Sequence, residues 1–432
     1  MTRRQVLGYV GTLAVLVPLA ACSQEKPSPS AKLEHRIVGN PRPEGFTVTV
    51  QTEDASRVRL KVATDESLEN DVVFSPASAP DADGWARMTV TGLKPNGRYF
   101  YDVEMTDRAG RWLAGQPGRA RTLPVQGRPA SFDFAFGSCM ASGAKSRAVW
   151  NRILDRDPLL FLHLGDFGYF DNQSTSVDSH RSDFVDQIAA NSGLADVLAE
   201  VPTYYIQSDH DAGGGNNAGP GPWTAPNRAA YRQVFPHPDL DGHPDGLFWS
   251  VVVGRVRLVF TDHKTYASPA DDPDTEAKSL MGAPQKQWFK LQMQKSEPVK
   301  IWVQHSAFID KTAEADKWGN YATEQDELAE FLRSQAVGEV VTVHGDMHAV
   351  AVSTDNPWGV RSWCGAPFDQ TSSHKGGPWT SGPFPEADER GTRQYGYVTV
   401  HDTGGPIEVS FSGLDSKDRV RVGDDFTAGD LA

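Results

Sequence analysis

The 432-residue sequence has only three cysteines and fewer basic than acidic residues, 42 Lys and Arg against 56 Asp and Glu. Three cysteines are too few for a disulfide-dense scaffold. The formal net charge of −14 argues against a nucleic-acid-binding surface, which needs a basic footprint. The sequence also lacks a Gly-rich Walker loop and a Ser-x-x-Lys motif. Their absence disfavours nucleotide-driven phosphoryl transfer and acyl-enzyme chemistry, but it leaves hydrolysis of anionic substrates open.

The apolar run from Val10 to Ala20 is too short to form a membrane-spanning helix. Paired arginines at positions 3 and 4 precede it and resemble a twin-arginine export signal. Leu19-Ala20-Ala21-Cys22 follows and resembles a lipoprotein cleavage box. We therefore expect residues 1–22 to be an export signal with Cys22 as the lipidated first residue of the mature chain. An ordinary secretory signal with a chance cysteine is the alternative. Residues 23–34, rich in Ser, Pro, Lys and Glu, predict a flexible tether.

Residues 35–125 have the patterning of an all-β module. Phe46-Val48-Val50 and Val58-Leu60-Val62 alternate at period two, as half-buried strands do. Leu93-Lys94-Pro95 followed by Tyr99 resembles the corner of fibronectin type III sandwiches. The segment therefore predicts a small fibronectin-III-like β-sandwich. It carries no catalytic constellation, which favours a packing or spacer role.

From residue 130 onward, apolar strand-like runs alternate with helix-like stretches, which predicts sheets covered on both faces. We expect an α/β or α+β layered domain over residues 130–415, followed by a polar tail, 416–432, that is frayed or loosely docked. The predicted strands are Phe132–Phe136, Leu159–Leu164, Thr203–Ile206, Val256–Phe260, Ile301–Val303 and Val340–Val343, and the predicted helices are Lys145–Asp155, Ser182–Glu200, Ala283–Gln294 and Glu324–Ser334.

Polar side chains follow each of the six predicted strands. In chain order they are Cys139, then Asp166 and Tyr169, then Asp209 and His210, then Asp262, His263 and Lys264, then His305, and finally His344, Asp346 and His348. Open α/β folds place ligands at the carboxyl edge of a sheet, where such strand ends converge. Crowded carboxylates raise one another's pKa values unless cations neutralise them. The pattern therefore predicts a metal cluster, with metals about 3.5–4 Å apart.

The donor types narrow the choice of metal. A thiolate from Cys139 and a phenolate from Tyr169 favour a transition metal such as iron. Asp and Asn oxygens also suit calcium or magnesium. Two such cations would supply hydroxide at neutral pH.

At this point the sequence resembles a known family. The motifs Gly165-Asp166, Asp209-His210-Asp211, His305 and Gly345-Asp346-Met347-His348 resemble the ordered motifs of calcineurin-like metallophosphoesterases. Phe136-Gly137-Ser138-Cys139, the Gly-Asp-x-x-Tyr spacing at 165–169 and the helix start at Leu280–Trp288 resemble the alkaline phosphatase D (PhoD-like) family within them. The resemblance implies a four-layer metallophosphoesterase-like sandwich and an exported phosphomonoesterase or phosphodiesterase. The export signal and Cys22 predict a periplasmic or cell-envelope location with a lipid anchor. We expect a monomer without a nucleic-acid partner.

The resemblance also implies a cofactor and roles for single residues. It implies Fe³⁺ and Ca²⁺, with another pair such as Zn or Mn as the alternative. His210 is implied as the acid that protonates the leaving oxygen, and Lys264 and His344 are candidates for substrate binding. The implied metal ligands, with Asp166 bridging two metals, are Cys139, Asp166, Tyr169, Asp209, Asn216 (or Asn217), His305, Asp346 and His348.

The sequence departs from the family at two of these motifs. Gln207-Ser208 stands where the family has Trp-Asp before Asp-His, which puts a calcium contact in doubt. Lys264 stands where the family has Arg, so a bidentate grip on phosphate is replaced by a point charge.

Several residues also have simpler explanations. Cys139 could pair with Cys364 in a disulfide, and Tyr169 could be a loop aromatic. His163, inside an apolar strand, is expected to be a buried structural histidine. Trp318 is expected in the core, with a substrate-facing wall as the alternative. For the whole protein, the alternatives are a phosphodiesterase acting on phospholipids, nucleotides or teichoic-acid-like polymers, and a non-catalytic lipid-anchored envelope protein.

The anchoring hypothesis predicts that the mature chain begins at Cys22, carries lipid and partitions with membranes. Replacing the acylated sulfur in Cys22→Ser should give protein that is soluble or unprocessed. Mass spectrometry of the mature chain and membrane fractionation check this. A lipid-free mature chain cleaved at another position would contradict it.

Overall fold

The computed structural model describes residues 31–107, 109–141, 146–215, 219–240, 243, 245–334, 337–373, 375–385 and 393–429. The predicted export signal with Cys22, and the tether up to residue 30, lie outside the described residues. Among the described residues, none of the helices has both the length and the apolar character needed to cross a bilayer.

The N-terminal module is a two-layered β-sandwich. Its strands are β1 (Lys32–Arg42), β2 (Gly45–Glu53), β3 (Val58–Ala63), β4 (Val73–Phe74), β5 (Trp85–Thr91), β6 (Arg98–Thr106), β7 (Trp112–Leu113) and β8 (Gly118–Arg121). Strands β1, β2 and β5 form one layer, and β3, β4, β6, β7 and β8 form the other. Alternate residues such as Val48 and Leu60 fill the core between the layers, which confirms the period-two prediction. The Lys94 backbone N–H donates to the Tyr99 hydroxyl at 2.8 Å and closes the corner before β6.

The second module alternates strands and helices. Its strands are β9 (Phe132–Gly137), β10 (Leu160–His163), β11 (Thr203–Tyr205), β12 (Trp249–Val253), β13 (Val256–Phe260), β14 (Val299–Val303), β15 (Glu339–His344), β16 (Val350–Ser353), β17 (Arg361–Gly365), β18 (Ser381–Phe384), β19 (Gln394–His401), β20 (Ile407–Asp415) and β21 (Val420–Ala428). Its helices are α1 (Arg147–Arg156), α2 (Val177–Ala190), α3 (Ser192–Glu200), α4 (Asp209–Ala212), α5 (Thr224–Val234), α6 (Ala283–Met293) and α7 (Ala322–Ser334), with a 3₁₀ turn at Trp318–Tyr321.

The second module has four layers. Parallel strands β9, β10 and β11 lie in one sheet, and parallel strands β13, β14 and β15 lie in a second sheet. The apolar core between the sheets joins side chains of both, such as Phe136 and Phe260. Helices α1, α2, α3 and α5 cover the outer face of the first sheet, and α6 and α7 cover that of the second. Because helices cover both sheets, the strands are apolar on both faces, as the sequence predicts.

The two modules share a sheet. Strand β1 pairs with β11 in parallel, with Gly39 opposite Thr203, and this joins the layer β1-β2-β5 to the order β21-β20-β19-β9-β10-β11. A side chain at Gly39 would collide with the Thr203 carbonyl, so the close approach requires glycine. Across the junction, the buried Tyr101 hydroxyl donates to the Ala199 carbonyl at 2.7 Å. The N-terminal module is therefore docked on the helical layer.

The helix predicted over Ser182–Glu200 is wrong as one element. It is two helices, α2 and α3, separated at Asn191. The Asn191 side chain accepts the Leu194 N–H at 3.3 Å and starts α3, because Asn offers the backbone a local cap in place of a continuing helix. Helix α5 has no counterpart in the prediction.

The expectation of a frayed tail is also wrong for most of its length. Strand β21 pairs with β20 along Ile407–Leu414, and the tether's last residues, from Lys32, already belong to β1. Alternation explains the order of β21, since Val422 and Ala428 are buried. Asp424 accepts a hydrogen bond from the Trp363 indole at 2.7 Å.

The shared sheet and the buried Tyr101 contact predict that the two modules unfold together. Tyr101→Phe leaves the Ala199 carbonyl without its donor and should lower the free energy of unfolding by about 1 kcal/mol. Urea denaturation followed by both tryptophan fluorescence and circular dichroism measures this loss. Two separate transitions, with only the first shifted by Tyr101→Phe, would contradict the prediction.

Candidate metal centre

The predicted site residues come together where the two sheets end. Cys139 follows β9, Asp166 follows β10, and Asp209 begins α4 after β11. From the second sheet, His305 follows β14, and Asp346 and His348 follow β15. The sequence predicts convergence at the edge of one sheet, whereas the structure uses the adjacent carboxyl edges of two.

Four of the converging residues adopt left-handed backbone conformations. Their φ angles are 62° at Cys139, 49° at Asp166, 60° at Asp346 and 53° at His348. Such conformations are costly for residues with a Cβ and concentrate at functional sites, where the surrounding structure enforces them. At Asp166 the enforcing contact is the backbone N–H, which donates to Ser208 Oγ at 2.7 Å.

The first group of ligand-type atoms contains the Cys139 thiol, an Asp166 oxygen and a His348 nitrogen, all within 4.8 Å of one another. His348 Nδ1 donates to the Thr371 carbonyl at 2.8 Å, which leaves Nε2 as the atom that faces the site. The Tyr169 hydroxyl lies 3.0 Å from both Asp166 Oδ2 and His348 Nε2. The structure therefore brings Tyr169 to this group.

The second group contains oxygens of Asp166 and Asp209 and a nitrogen of His210, again within 4.8 Å of one another. His305 stands beside it. Its Nδ1 donates to the Leu164 carbonyl at 2.6 Å, and its Nε2 lies 3.3 Å from Asp209 Oδ1 and 3.6 Å from Asp166 Oδ1. Although burial lowers the pKa of His305, the carboxylates of Asp166 and Asp209 raise it to about 9.

These donors fit a metal ion. Asp209 Oδ1 and His305 Nε2 are buried and make no hydrogen bond with the described residues, although buried polar atoms are nearly always paired. A second-shell carbonyl that fixes the ring through Nδ1 is the usual arrangement for a metal-binding histidine. Burial, with Asp166 nearby, raises the pKa of the Cys139 thiol well above its usual range. A thiolate at that position therefore needs a cation.

Ser208 and Asp211 position the ligands, a role that the sequence analysis did not assign to them. Ser208 Oγ donates to Asp166 Oδ1 at 2.6 Å. Asp211 Oδ1 accepts the Phe167 N–H at 2.7 Å, and Oδ2 accepts the Ser208 N–H at 3.1 Å. Burial and the nearby Asp166 raise the pKa of Asp211 to about 6. A Ser followed three residues later by an acidic residue, a capping pattern in the sequence, was the available signal.

Asp346 is held by two lysines that the sequence analysis also missed. Lys317 Nζ lies 2.5 Å from Asp346 Oδ2, and Lys375 Nζ lies 3.5 Å from Oδ1. Although burial raises the pKa of Asp346, the two ammonium groups lower it well below its usual range. Although Lys317 lies in a family-like segment, Asp316–Tyr321, the sequence predicts no ion pair for either lysine, because both lie in loops far from Asp346 in the chain.

Lys264 and His344, the two residues predicted to bind substrate, lie in different surroundings. Lys264 is buried, and its ammonium group pairs with Asp316 Oδ2 at 2.5 Å. His344 is buried beside the site, stacked on Trp379 with ring centroids 6.1 Å apart. Burial lowers the pKa of His344 to about 4. Asn216 and Asn217 lie outside the described residues.

The simpler explanations have different outcomes. Cys139 and Cys364 are both free thiols, so the disulfide alternative is not realised. His163 lies among Phe161, Phe167 and other rings, as expected for a buried structural histidine. Trp318 is fully buried and donates to Gln304 Oε1 at 3.0 Å, which confirms the core position.

Comparisons with known proteins agree on one family. The family model for PhoD-like phosphatase matches residues 134–381, more than half of the chain, and the model for its N-terminal domain matches residues 23–124. Alkaline phosphatase D of Bacillus subtilis (strain 168) is 23% identical over a 344-residue alignment that covers 68% of this chain and 58% of that protein. The chain thus spans less than two thirds of that relative.

Two solved structures share the fold. A structure of PhoD superposes with a TM-score of 0.72 at 17% identity and covers 94% of this chain and 92% of its own. A purple acid phosphatase from yellow lupin seeds superposes with a TM-score of 0.65 at 12% identity, over 92% of this chain and 74% of its own. The layered module therefore has the metallophosphoesterase-like α/β fold. The chain belongs to the PhoD-like phosphatase family.

Proposed function

We propose that the protein is an exported, metal-dependent phosphoesterase that hydrolyses phosphate esters. The observation that carries the proposal is that the buried atoms Asp209 Oδ1 and His305 Nε2, which lie 3.3 Å apart beside Asp166, make no hydrogen bond with the described residues. Two ligand groups that share Asp166 suit a two-metal site. Family membership supports the same chemistry.

The proposed ligands divide by donor type. Cys139, Tyr169 and His348 suit iron, and Asp166 is the proposed bridge. Asp209, His305 and Asp346 would hold the second metal, for which we propose calcium. Bound together, the two cations would supply hydroxide at neutral pH and neutralise the phosphoryl oxygens. The chain's own part is to hold the ligands deprotonated and in place, through the Leu164 and Thr371 carbonyls and through Ser208.

His210 is the proposed general acid. Its Nδ1 lies 2.8 Å from Asp171 Oδ1, and its ring packs against Tyr169 with centroids 4.3 Å apart. The Asp171 carboxylate accepts from Nδ1, so Nε2 is directed into the site, where it lies 3.8 Å from Asp209 Oδ2. Burial alone would lower the pKa of His210. The carboxylates of Asp209, Asp166 and Asp171 raise it by more, so the net pKa lies above its usual value. A protonated Nε2 can then deliver a proton to the leaving oxygen.

The same proposal extends to the N-terminal module and the location. We regard the module as fibronectin-III-like, because its two β-layers and the Tyr99–Lys94 corner match that architecture. An export signal ending at Cys22 would place the enzyme on the outer side of the membrane through a lipid anchor. That position suits an enzyme that acts on phosphate esters outside the cytoplasm.

If Cys139 and Tyr169 bind ferric iron, charge transfer from thiolate and phenolate should colour the purified protein. Cys139→Ser should bleach or shift the band and lower the iron content, measured by absorption spectroscopy and elemental analysis. Cys364→Ser is the matched control, because Cys364 is equally buried but belongs to neither group of ligand-type atoms among the described residues, and its thiol lies 3.5 Å from the Gly345 carbonyl. Full iron content in Cys139→Ser, or equal bleaching in both variants, would contradict the assignment.

As a general acid, His210 should matter most for a poor leaving group. His210→Ala should lower kcat on an alkyl phosphate ester by about 10²–10⁴-fold, and distinctly less on a nitrophenyl ester, whose oxygen leaves without a proton. Metal content should stay near that of the wild type. Asp166→Ala should instead remove both metal and activity on every substrate.

Steady-state kinetics on the two esters and metal analysis check the prediction. Equal losses on both esters with metal retained would assign His210 to phosphate positioning. Loss of metal would make it a ligand.

A further inference from the structure

We propose that Lys317 binds a phosphoryl oxygen of the substrate and that, with Lys375, it selects phosphomonoester dianions over phosphodiester monoanions. The inference rests on the proposed phosphoesterase function and names the substrate class of the same site. It starts from the ammonium group of Lys317, which lies inside the candidate metal centre.

One N–H donor of the Lys317 ammonium group has no acceptor among the described residues. Only 8% of the residue is exposed, yet Nζ contacts just two acceptors, Asp346 Oδ2 at 2.5 Å and Asp316 Oδ1 at 3.5 Å. An ammonium group has three N–H donors, and no third acceptor contacts Nζ within the part of the chain that the structure describes. Since Asp346 is a proposed metal ligand, the remaining donor lies where a substrate oxygen would approach the metals.

The segment around Lys317 is rigid. Asp316 is fully buried and is clamped by Lys264 Nζ at 2.5 Å. The following residue, Trp318, is tied to Gln304, the neighbour of His305. Gly319 passes so close to the backbone of Lys311 that a Cβ would collide with it. Lys317 is therefore preorganised, which lowers the entropic cost of binding an anion.

Three ammonium groups lie on this side of the site. Among the described residues, those of Lys264, Lys317 and Lys375 form ion pairs with the carboxylates of Asp316 and Asp346. The Asp209 carboxylate also attracts Lys264 and Lys317. A cation bound to Asp346 would draw that carboxylate's charge away from Lys317 and Lys375 and leave a local positive excess. In a protein with a net charge of −14, a local positive excess favours the more highly charged anion.

The two ammonium groups differ in exposure. The side chain of Lys317 is 11% exposed, whereas that of Lys375 is 46% exposed and lies at the solvent side of Asp346. Electrostatic interactions weaken as solvent screens them, so Lys317 should contribute more than Lys375. A phosphomonoester carries two negative charges at neutral pH or above, whereas a diester carries one. Removing either lysine should therefore affect monoesters more.

Binding of inorganic phosphate, a dianion that needs no turnover, tests the contact directly. Isothermal titration of the metal-loaded protein should show that Lys317→Met weakens phosphate binding about tenfold or more. The weaker, exposed contact of Lys375 predicts a loss of about two- to fivefold in Lys375→Met. Metal content, measured in parallel, should remain that of the wild type.

Lys278→Met is the matched control. Lys278 is also buried and supports the same segment, through Asn320 Oδ1 at 3.1 Å and the Ala270 carbonyl at 2.9 Å, but it does not touch Asp346. It should leave phosphate affinity unchanged even if it lowers stability. If Lys317→Met fails to fold, Lys375→Met carries the test, because its side chain is half-exposed.

The kinetic arm compares a nitrophenyl phosphate monoester with the matching bis-nitrophenyl diester. Lys317→Met and Lys375→Met should each lower kcat/KM more for the monoester. Wild-type phosphate affinity in both variants, equal losses on the two esters, or loss of metal in Lys317→Met would each overturn the inference. A wild-type protein that binds phosphate through Lys317 but hydrolyses no ester would contradict the proposed function alone.

Discussion

Three buried carboxylates, those of Asp166, Asp209 and Asp346, gather where two sheets end, and their mutual repulsion governs the structure around them. Each residue is at most 5% exposed. Charges in such surroundings are stable only when opposite charges and hydrogen bonds compensate them. The chain supplies part of this compensation through His305 and Lys317. Asp209 Oδ1 and His305 Nε2 make no hydrogen bond with the described residues and mark where metal ions would supply the rest.

The same requirement explains the strained backbone. Asp166 and Asp346 have positive φ angles, and each is held in that conformation by a serine from a neighbouring strand end. Ser208 Oγ accepts the Asp166 N–H at 2.7 Å, and Ser138 Oγ accepts the Asp346 N–H at 3.3 Å. Each hydroxyl comes from another strand of the site, so the ligand loops lock one another. The left-handed backbone turns the carboxylates of Asp166 and Asp346 toward the site. A chain that continued in the extended conformation of the strand would point them in another direction.

How far the sequence predicts this arrangement depends on the range of the interactions. Strand ends bearing Cys139, Asp166 and His348 were found because strand patterning and motif order are local properties of the chain. The sequence predicts one helix where α2 and α3 lie, and a polar tail where β21 lies. Both predictions are wrong because a single Asn cap or the pairing of an edge strand is a weak local signal. The ion pair between Lys317 and Asp346 joins two loops that are 29 positions apart in the chain, and no local sequence pattern predicts it. Lys264 shows the opposite error. Its position in a motif predicts a contact with substrate phosphate, whereas in the folded chain its ammonium group pairs with Asp316.

The N-terminal module is linked to the site more closely than a spacer would be. The Arg87 guanidinium donates to the Phe235 carbonyl at 3.0 Å, just after α5, and Gln233 of that helix donates to Asp81 at 2.6 Å. Within α5, the Asn227 amide donates to the Asp211 carbonyl at 2.7 Å. Asp211 in turn accepts the backbone N–H of Phe167, next to Asp166, and the N–H of Ser208 in its own loop. Apart from the exposed Gln233–Asp81 contact, each step is a hydrogen bond to a backbone group or a buried side chain. Displacing the module would therefore loosen α5 and then Asp211, which supports the proposed bridging carboxylate. The sandwich therefore supports the candidate metal-binding edge, and this accounts for a sheet that runs without interruption from one module into the other.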